Sequence, residues 1–553
     1  MRPIKFLTIL IIFSSKLLAQ NAEQDSATAY SNRAFQSFDK KDYAQSLFWY
    51  EKLFNTSFKD YRSNYNLYRA SVSACQINEP SKALHYFEEM ASTYLDFNNY
   101  TYFANDTLAN CLKETAIWKN AMAYMKPKYD SVQEVYRLYY VGITDASKRL
   151  TKSDLNDTSY LKKLFAHNNF KNIFDFLKNY NRYNQPPLTN HWTLYEIKIN
   201  DTLTVPFLIF VPKNYVSSKK TSLYVFLQGA VSNRSRFSTK ANVPESEIPF
   251  IQNPIKQGAF IIYPFARKDI NWLQHPLAFE TIINEIAYVK SLYNIDDNKV
   301  YITGHSDGGR GVFYFAINKP STFASFLAFN YYPQSFITNT SLRNFRNQET
   351  FYGISGKKDN IFNFSKVDSI YRYANSVGCN WRNFAFDEGH GLPYDIPDSL
   401  NFIYDTLINK KRKPFPKFIE WETDNVDNGR YKWIEILKID TLLSKASWVD
   451  TYNPPIKSRD NITPVNFNKN KSAVIVASVK GNTVTIKTSR VTQFCFYVYP
   501  EVVNIKKPIK FIINNTVQTI IPKPSKEDLA KEILKTKDRT MLPIQKITLA
   551  SSN

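Results

Sequence analysis

From residue 21 to about 180, apolar residues recur at intervals of three and four with a single interrupting glycine. That period places them on one face of successive helices and predicts an α-helical domain over 21–185. At His191 the pattern changes: residues 192–199 and 203–211, separated by Asn200-Asp201, read as strand, turn, strand. Residues 222–227, 259–263 and 299–303 are continuously apolar, as strands covered on both faces are. Between the last two, residues 277–293 carry Phe279, Ile282, Ile283, Ile286, Val289 and Leu292 at helical spacing. Strands alternating with helices imply an α/β domain over 190–410. Beyond Pro414 and Pro416, strand-like runs at 418–422, 431–439, 472–479, 483–488, 494–499 and 509–513, with turns at Gly481-Asn482 and Asn514-Asn515, predict an all-β module over 414–520, of sandwich type. Ser525 to Asp528 reads as a helix start in a C-terminal tail over 521–553.

The helical stretch repeats itself. Ala34, Tyr43, Ser46, Tyr50 and Leu53 return 37 residues later as Ser71, Pro80, Ala83, Phe87 and Met90. Small residues at the first and third places let two helices approach, and the larger ones fill the groove between them. This stretch resembles tetratricopeptide repeats, which implies a concave surface for a protein partner. The alternative is a helical spacer.

The N-terminus carries Arg2 and Lys5, an apolar run at 6–13 and a small residue at Ala19, which reads as a signal peptide over 1–20. The expected location is therefore exported, periplasmic or secreted, with no transmembrane segment, since a span needs about 20 apolar residues. Cys75, Cys111, Cys379 and Cys495 show no C-x-x-C spacing, which argues against a zinc or dithiol site; no metal and no cofactor is expected. Export permits a bond between Cys75 and Cys111; buried thiols are the alternative. The formal charge of +22 comes mostly from scattered lysines in a chain equally heavy in Asn, Ile, Phe and Tyr, so AT-rich codon usage accounts for it and no nucleic-acid partner is expected. The basic run 410–413 reads as a linker.

Glycine is scarce, 14 of 553 residues, and 11 of the 14 fall between Gly229 and Gly391. Within that window, Gly304-His305-Ser306-Asp307-Gly308-Gly309 matches G-x-S-x-G between a strand and a helical run, the context in which a strained turn exposes a nucleophilic serine. A serine hydroxyl needs a base to take its proton. Of six histidines only His390 follows Ser306, and the expected chain order is serine, acid, histidine. Asp359, after the apolar run 351–355 and a glycine turn, is the expected acid; Asp387, three residues before the histidine, is its rival. Acyl transfer also needs oxyanion donors. These are expected at the N–H of Asp307 and in the loop after 222–227, at Ala230 or Gly229.

Residues 294–309, together with Ser355 to Ile361 and Gly389-His390-Gly391, resemble the nucleophile, acid and base segments of secreted α/β-hydrolase esterases of the polyhydroxybutyrate depolymerase and feruloyl esterase type. The resemblance covers roughly 194–408 and implies Ser306 as nucleophile, Asp359 as acid and His390 as base. Gln228 stands where such enzymes commonly have histidine. The expected function is an exported serine hydrolase acting on a small-molecule or polymer ester. A serine peptidase with the same triad and a non-catalytic binding scaffold are the alternatives. In the β module, Trp421, Trp433 and Trp448 are read as core residues first and as sugar-stacking platforms second.

Overall fold

The computed structural model describes residues 26–551 except 58–60, 96–99, 140–152, 187, 238–242, 244–246, 274, 336, 339–340, 347, 393–397, 453–455, 458–463 and 466–469. The expected signal peptide lies outside the described residues. The chain divides into two compact units, Met1–Leu138 and Tyr139–Asn553.

The first unit is helical: α1 (26–39), α2 (Tyr43–Phe54), α3 (Asn64–Gln76), α4 (Pro80–Tyr94), α5 (Tyr100–Asn105) and α6 (Ala116–Tyr139). Asp42 and Ser63 cap α2 and α3 by accepting from the N–H groups of Gln45 and Asn66. The 37-residue repeat has a structural counterpart in two hydroxyl bonds. Ser46 Oγ donates to the carbonyl of Ala34 at 3.1 Å, and Ser71 Oγ donates to that of Ala83 at 2.6 Å. Positions 34 and 71, and 46 and 83, correspond, so the same interhelix bond recurs with its donor moved to the other helix. Tyr50, Leu53, Phe87 and Met90 are buried in one core. Cys75 and Cys111 form a disulfide, with their Cα atoms 5.6 Å apart.

The second unit begins with α7 (Thr158–His167) and α8 (Phe170–Lys178) and continues into β1 (His191–Lys198), β2 (Thr204–Val211), β3 (Thr221–Leu227), α9 (Ile248–Lys256), β4 (Phe260–Pro264), α10 (Pro276–Leu292), β5 (Ile295–His305), α11 (Asp307–Asn318), β6 (Ser325–Phe329), β7 (Phe351–Gly356), α12 (Phe364–Ser376), β8 (Trp381–Phe386) and α13 (Asp398–Ile408). The eight strands form one sheet in the order β1-β2-β4-β3-β5-β6-β7-β8. β2 runs antiparallel to both its neighbours; the pairs from β4 through β8 are parallel. Residues of α10, α11 and α12 pack on one face, and those of α9 and α13 on the other. Burial on both sides is why these strands are continuously apolar rather than alternating. The chain leaves β3 toward β4 and returns across it to β5, so the strand order reverses at β3 and β5, the position at whose carboxyl ends such sheets generally bind ligands.

The remainder comprises β9 (Phe418–Thr423), β10 (Arg430–Tyr431), β11 (Ile434–Ile439), β12 (Ile456–Lys457), β13 (Pro464–Val465), β14 (Ala473–Lys480), β15 (Thr483–Ser489), β16 (Val491–Val498), β17 (Ile509–Ile513), β18 (Thr516–Ile520), α14 (Lys526–Thr536) and β19 (Gln545–Ala550). Sheets β10-β11-β16-β19 and β18-β17-β15-β14-β9 enclose one core. The C-terminal residues read as a tail thus supply a strand, paired Phe494 to Leu549 along β16. Trp421 and Trp433 are fully buried, Trp421 stacked on Tyr431 at 4.8 Å, so neither presents a face to a sugar. Residues 153–183, grouped by periodicity with the N-terminal helices, pack instead in this second unit: Leu161, Ile173, Leu177 and Tyr180 meet Leu529 and Ile533 of α14. A three-to-four period specifies a helix but not the surface it covers.

A buried ionic cluster ties the domain of the eight-stranded sheet to the C-terminal segment. Lys290 of α10 lies 2.9 Å from Asp297, Arg539 lies 3.4 Å from the same carboxylate, and Arg412 reaches Asp538 at 2.6 Å. Arg412 belongs to the basic run read as a linker; its guanidinium is buried because Asp538 and the Asn298 side chain hold it.

Candidate active site

Ser306 occupies the turn between β5 and α11 at φ 56° and ψ −115°. A non-glycine residue there stores roughly 1–3 kcal/mol, which the surroundings must hold. The Ser306 N–H donates to the carbonyl of Phe329 at 3.0 Å, and Gly308 lies so close to the Leu227 carbonyl that any Cβ would overlap it. The turn is therefore clamped between β3 and β6.

His390 follows β8 on a short loop. The Ser306 hydroxyl donates to its Nε2 at 2.9 Å, and its Nδ1–H donates to Asp359 Oδ2, also at 2.9 Å. A carboxylate only accepts, so this network assigns the tautomer. Asp359, after β7, has its other oxygen held by the N–H groups of Ile361 at 2.8 Å and Phe362 at 2.9 Å. Burial alone would raise its carboxyl, but the hydrogen bond and charge of His390, with those two N–H groups, outweigh it and hold the pKa below the ordinary value. Three strand ends thus bring Ser306, Asp359 and His390 into one hydrogen-bonded chain. Asp387 is exposed and pairs with Lys358 at 3.1 Å.

The loop after β3 faces the nucleophile turn. Gly229 is where that loop comes nearest: a Cβ there would lie 3.1 Å from Ser306 Cβ. Ala230 takes the left-handed conformation at φ 50° and ψ 43°, and Val231 N–H donates to Asp307 Oδ2 at 3.1 Å. Asp307 is the first residue of α11, so no carbonyl of the preceding helical turn exists to take its N–H. Among the described residues no backbone carbonyl outside the regular elements takes that of Ala230. Gln228 is fixed at both ends: Tyr263 donates to its side-chain oxygen at 2.9 Å, and Trp272 Nε1 donates to its carbonyl at 3.1 Å. Behind the loop, burial pushes Glu247 up to about 7, against Arg234 and the Gly229 N–H, which favour its charged form.

Two site residues have no role in the sequence reading. The His305 ring stacks on Phe250 at 4.5 Å, with Nε2 2.6 Å from the His390 carbonyl. Asn330, after β6, donates to that same carbonyl at 2.8 Å. No motif marks Asn330, because its partners are backbone groups.

No protein-family model matches the chain, and no curated protein matches it. Among solved structures it is similar to a thermostable esterase, at 18% identity over 40% of this chain and 65% of that one, with a TM-score of 0.34; the chain thus spans less than two thirds of that esterase. It is similar to Thermogutta terrifontis esterase 2 at 14% identity over 39% of this chain and 89% of that one, TM-score 0.31. Pyrococcus horikoshii acylaminoacyl peptidase is similar at 14% identity over 40% of this chain and 41% of that one, TM-score 0.32.

Proposed function

We propose that the protein is an exported serine hydrolase that cleaves carboxylic esters, of a small molecule or a polymer, through an acyl-enzyme. The observation that carries this reading is the chain Asp359 to His390 to Ser306, with both contacts at 2.9 Å. Ser306 Oγ attacks the ester carbonyl carbon while His390 Nε2 takes its proton. The charge that develops on the carbonyl oxygen is met by the N–H groups of Asp307 and Ala230. Collapse breaks the bond to the alcohol, which leaves with the proton from His390. A water molecule, deprotonated by the same nitrogen, then attacks the acyl carbon; the acid departs and Ser306 recovers its proton. Asp359 stays ionised throughout, holding the ring and stabilising the imidazolium.

The Cys75–Cys111 disulfide supports export, since such bonds persist in oxidising compartments. The recurring Ser46 and Ser71 bonds support a tetratricopeptide-like reading of the first unit, with a protein partner on its surface.

The purified chain, assayed on p-nitrophenyl acetate, methyl ferulate and peptide anilides, is expected to turn over the esters. Turnover confined to the anilides overturns the ester assignment in favour of a peptidase.

A further inference from the structure

His390 sits between Gly389 and Gly391, residues that by themselves restrict the backbone little. What fixes it is its own carbonyl. His305 Nε2 lies 2.6 Å from that oxygen and Asn330 Nδ2 lies 2.8 Å from it. A carbonyl only accepts, so both nitrogens carry the hydrogen, and His305 is the Nε2–H tautomer. Each donor is itself held. The His305 ring is stacked on Phe250 of α9. Asn330, left-handed at φ 40°, also donates to the Gly389 carbonyl at 3.3 Å, and its side-chain oxygen accepts from the Gly356 N–H at 2.8 Å, at the end of the strand that leads to Asp359.

From this convergence we infer that His305, with Asn330, is a positioning residue for the base: the two clamp the His390 carbonyl and thereby set the ring between Ser306 and Asp359. The inference rests on the hydrolase reading. It also explains why the position beside the nucleophile carries an imidazole rather than a longer cation. The two imidazole rings lie 4.9 Å apart. A fixed positive charge at 305 would oppose the imidazolium that forms on His390 in each cycle. Desolvation and the His390 ring push the pKa of His305 down to about 3, so it donates without charge.

The test uses the full chain with p-nitrophenyl acetate, and a fluorophosphonate to time serine reactivity. His305→Gln keeps a neutral donor at about the same reach; His305→Leu removes it. A displacement of about 1 Å at a catalytic group costs about 10²-fold in rate, so His305→Leu is expected to lose about 10- to 100-fold in kcat and in labelling rate, with KM within about twofold. His305→Gln is expected to stay within about threefold of the parent, because it satisfies the same acceptor. Should His305→Leu fail to fold, Asn330→Asp reads the same effect, since it keeps the acceptor for Gly356 and loses the donor to His390. Parent-like kcat in His305→Leu or in Asn330→Asp, a loss confined to KM, or a His305→Gln variant as impaired as His305→Leu overturns the inference while leaving the hydrolase reading intact. A parent chain that the probe does not label overturns both.

Discussion

The Asp307 carboxylate accepts a hydrogen bond from the N–H of Val231 at 3.1 Å, so the residue after the proposed nucleophile is tied by its side chain to the loop after β3. One residue thereby offers its own N–H at the start of α11 and holds the neighbouring Ala230 N–H in register. Asp307→Asn, which keeps an accepting oxygen, is expected to retain most activity. Asp307→Ala is expected to lower kcat about tenfold, short of the about 10²–10³-fold that loss of an oxyanion donor outright costs. Steady-state kinetics of the two variants check this, and equal kcat in both contradicts it.

Asp359 accepts from His390 Nδ1–H, and an amide in its place can present an N–H there instead. Asp359→Asn is then expected to favour the wrong tautomer and cut kcat by about 10⁴-fold with little change in fold. Circular dichroism alongside ester hydrolysis separates the two effects. Asp387→Asn, at an exposed carboxylate paired with Lys358, is expected to leave kcat within about twofold, as loss of a surface pair does.

The buried ionic cluster sets an acid limit on stability. Burial alone would raise Asp538, but the charges of Arg412 and Lys290 outweigh it and hold the carboxyl well below its usual range. With the folded pKa below the unfolded value of about 3.9, its stabilisation is fully present above that value and lost as pH falls through the folded one. Asp538→Asn leaves Arg412 and Lys290 short of a counter-charge and is expected to destabilise the second unit by about 3–5 kcal/mol near neutral pH. Thermal unfolding from pH 7 down to pH 2 should show the gap from the parent closing as the acid is titrated.

Glu285, on α10, works in the opposite direction. It is fully buried, neither carboxylate oxygen has a hydrogen-bond partner among the described residues, and burial raises its pKa well above the ordinary value. Folding therefore favours the protonated form: its contribution is most favourable below the unfolded pKa of about 4.3 and is lost as pH rises toward the folded value. Glu285→Leu is expected to raise stability by about 1–3 kcal/mol at pH 8, with a smaller gain at pH 4. Denaturant melts at the two pH values check the sign.

Much of the site was legible because its chemistry leaves few choices. Scarce glycines mark the turns where backbones meet, and a single histidine follows Ser306. The clamp on His390 left no trace of that kind. Asn330 acts through main-chain partners and lies just after β6, the run Ser325–Phe329 that the hydrophobic pattern did not single out. Packing partners were equally silent. The periodicity of residues 153–183 matches that of the first unit, though their apolar face meets α14. Arg412 looks like any residue of a basic run until Asp538 is brought to it from 126 positions away.

The most direct measurement is the site of covalent modification by a fluorophosphonate, read by intact mass and peptide mapping on the full chain. One adduct per chain is expected, on Ser306, absent from Ser306→Ala and formed far more slowly in His390→Gln. No adduct on the folded parent, or an adduct that persists in Ser306→Ala, contradicts the proposed function.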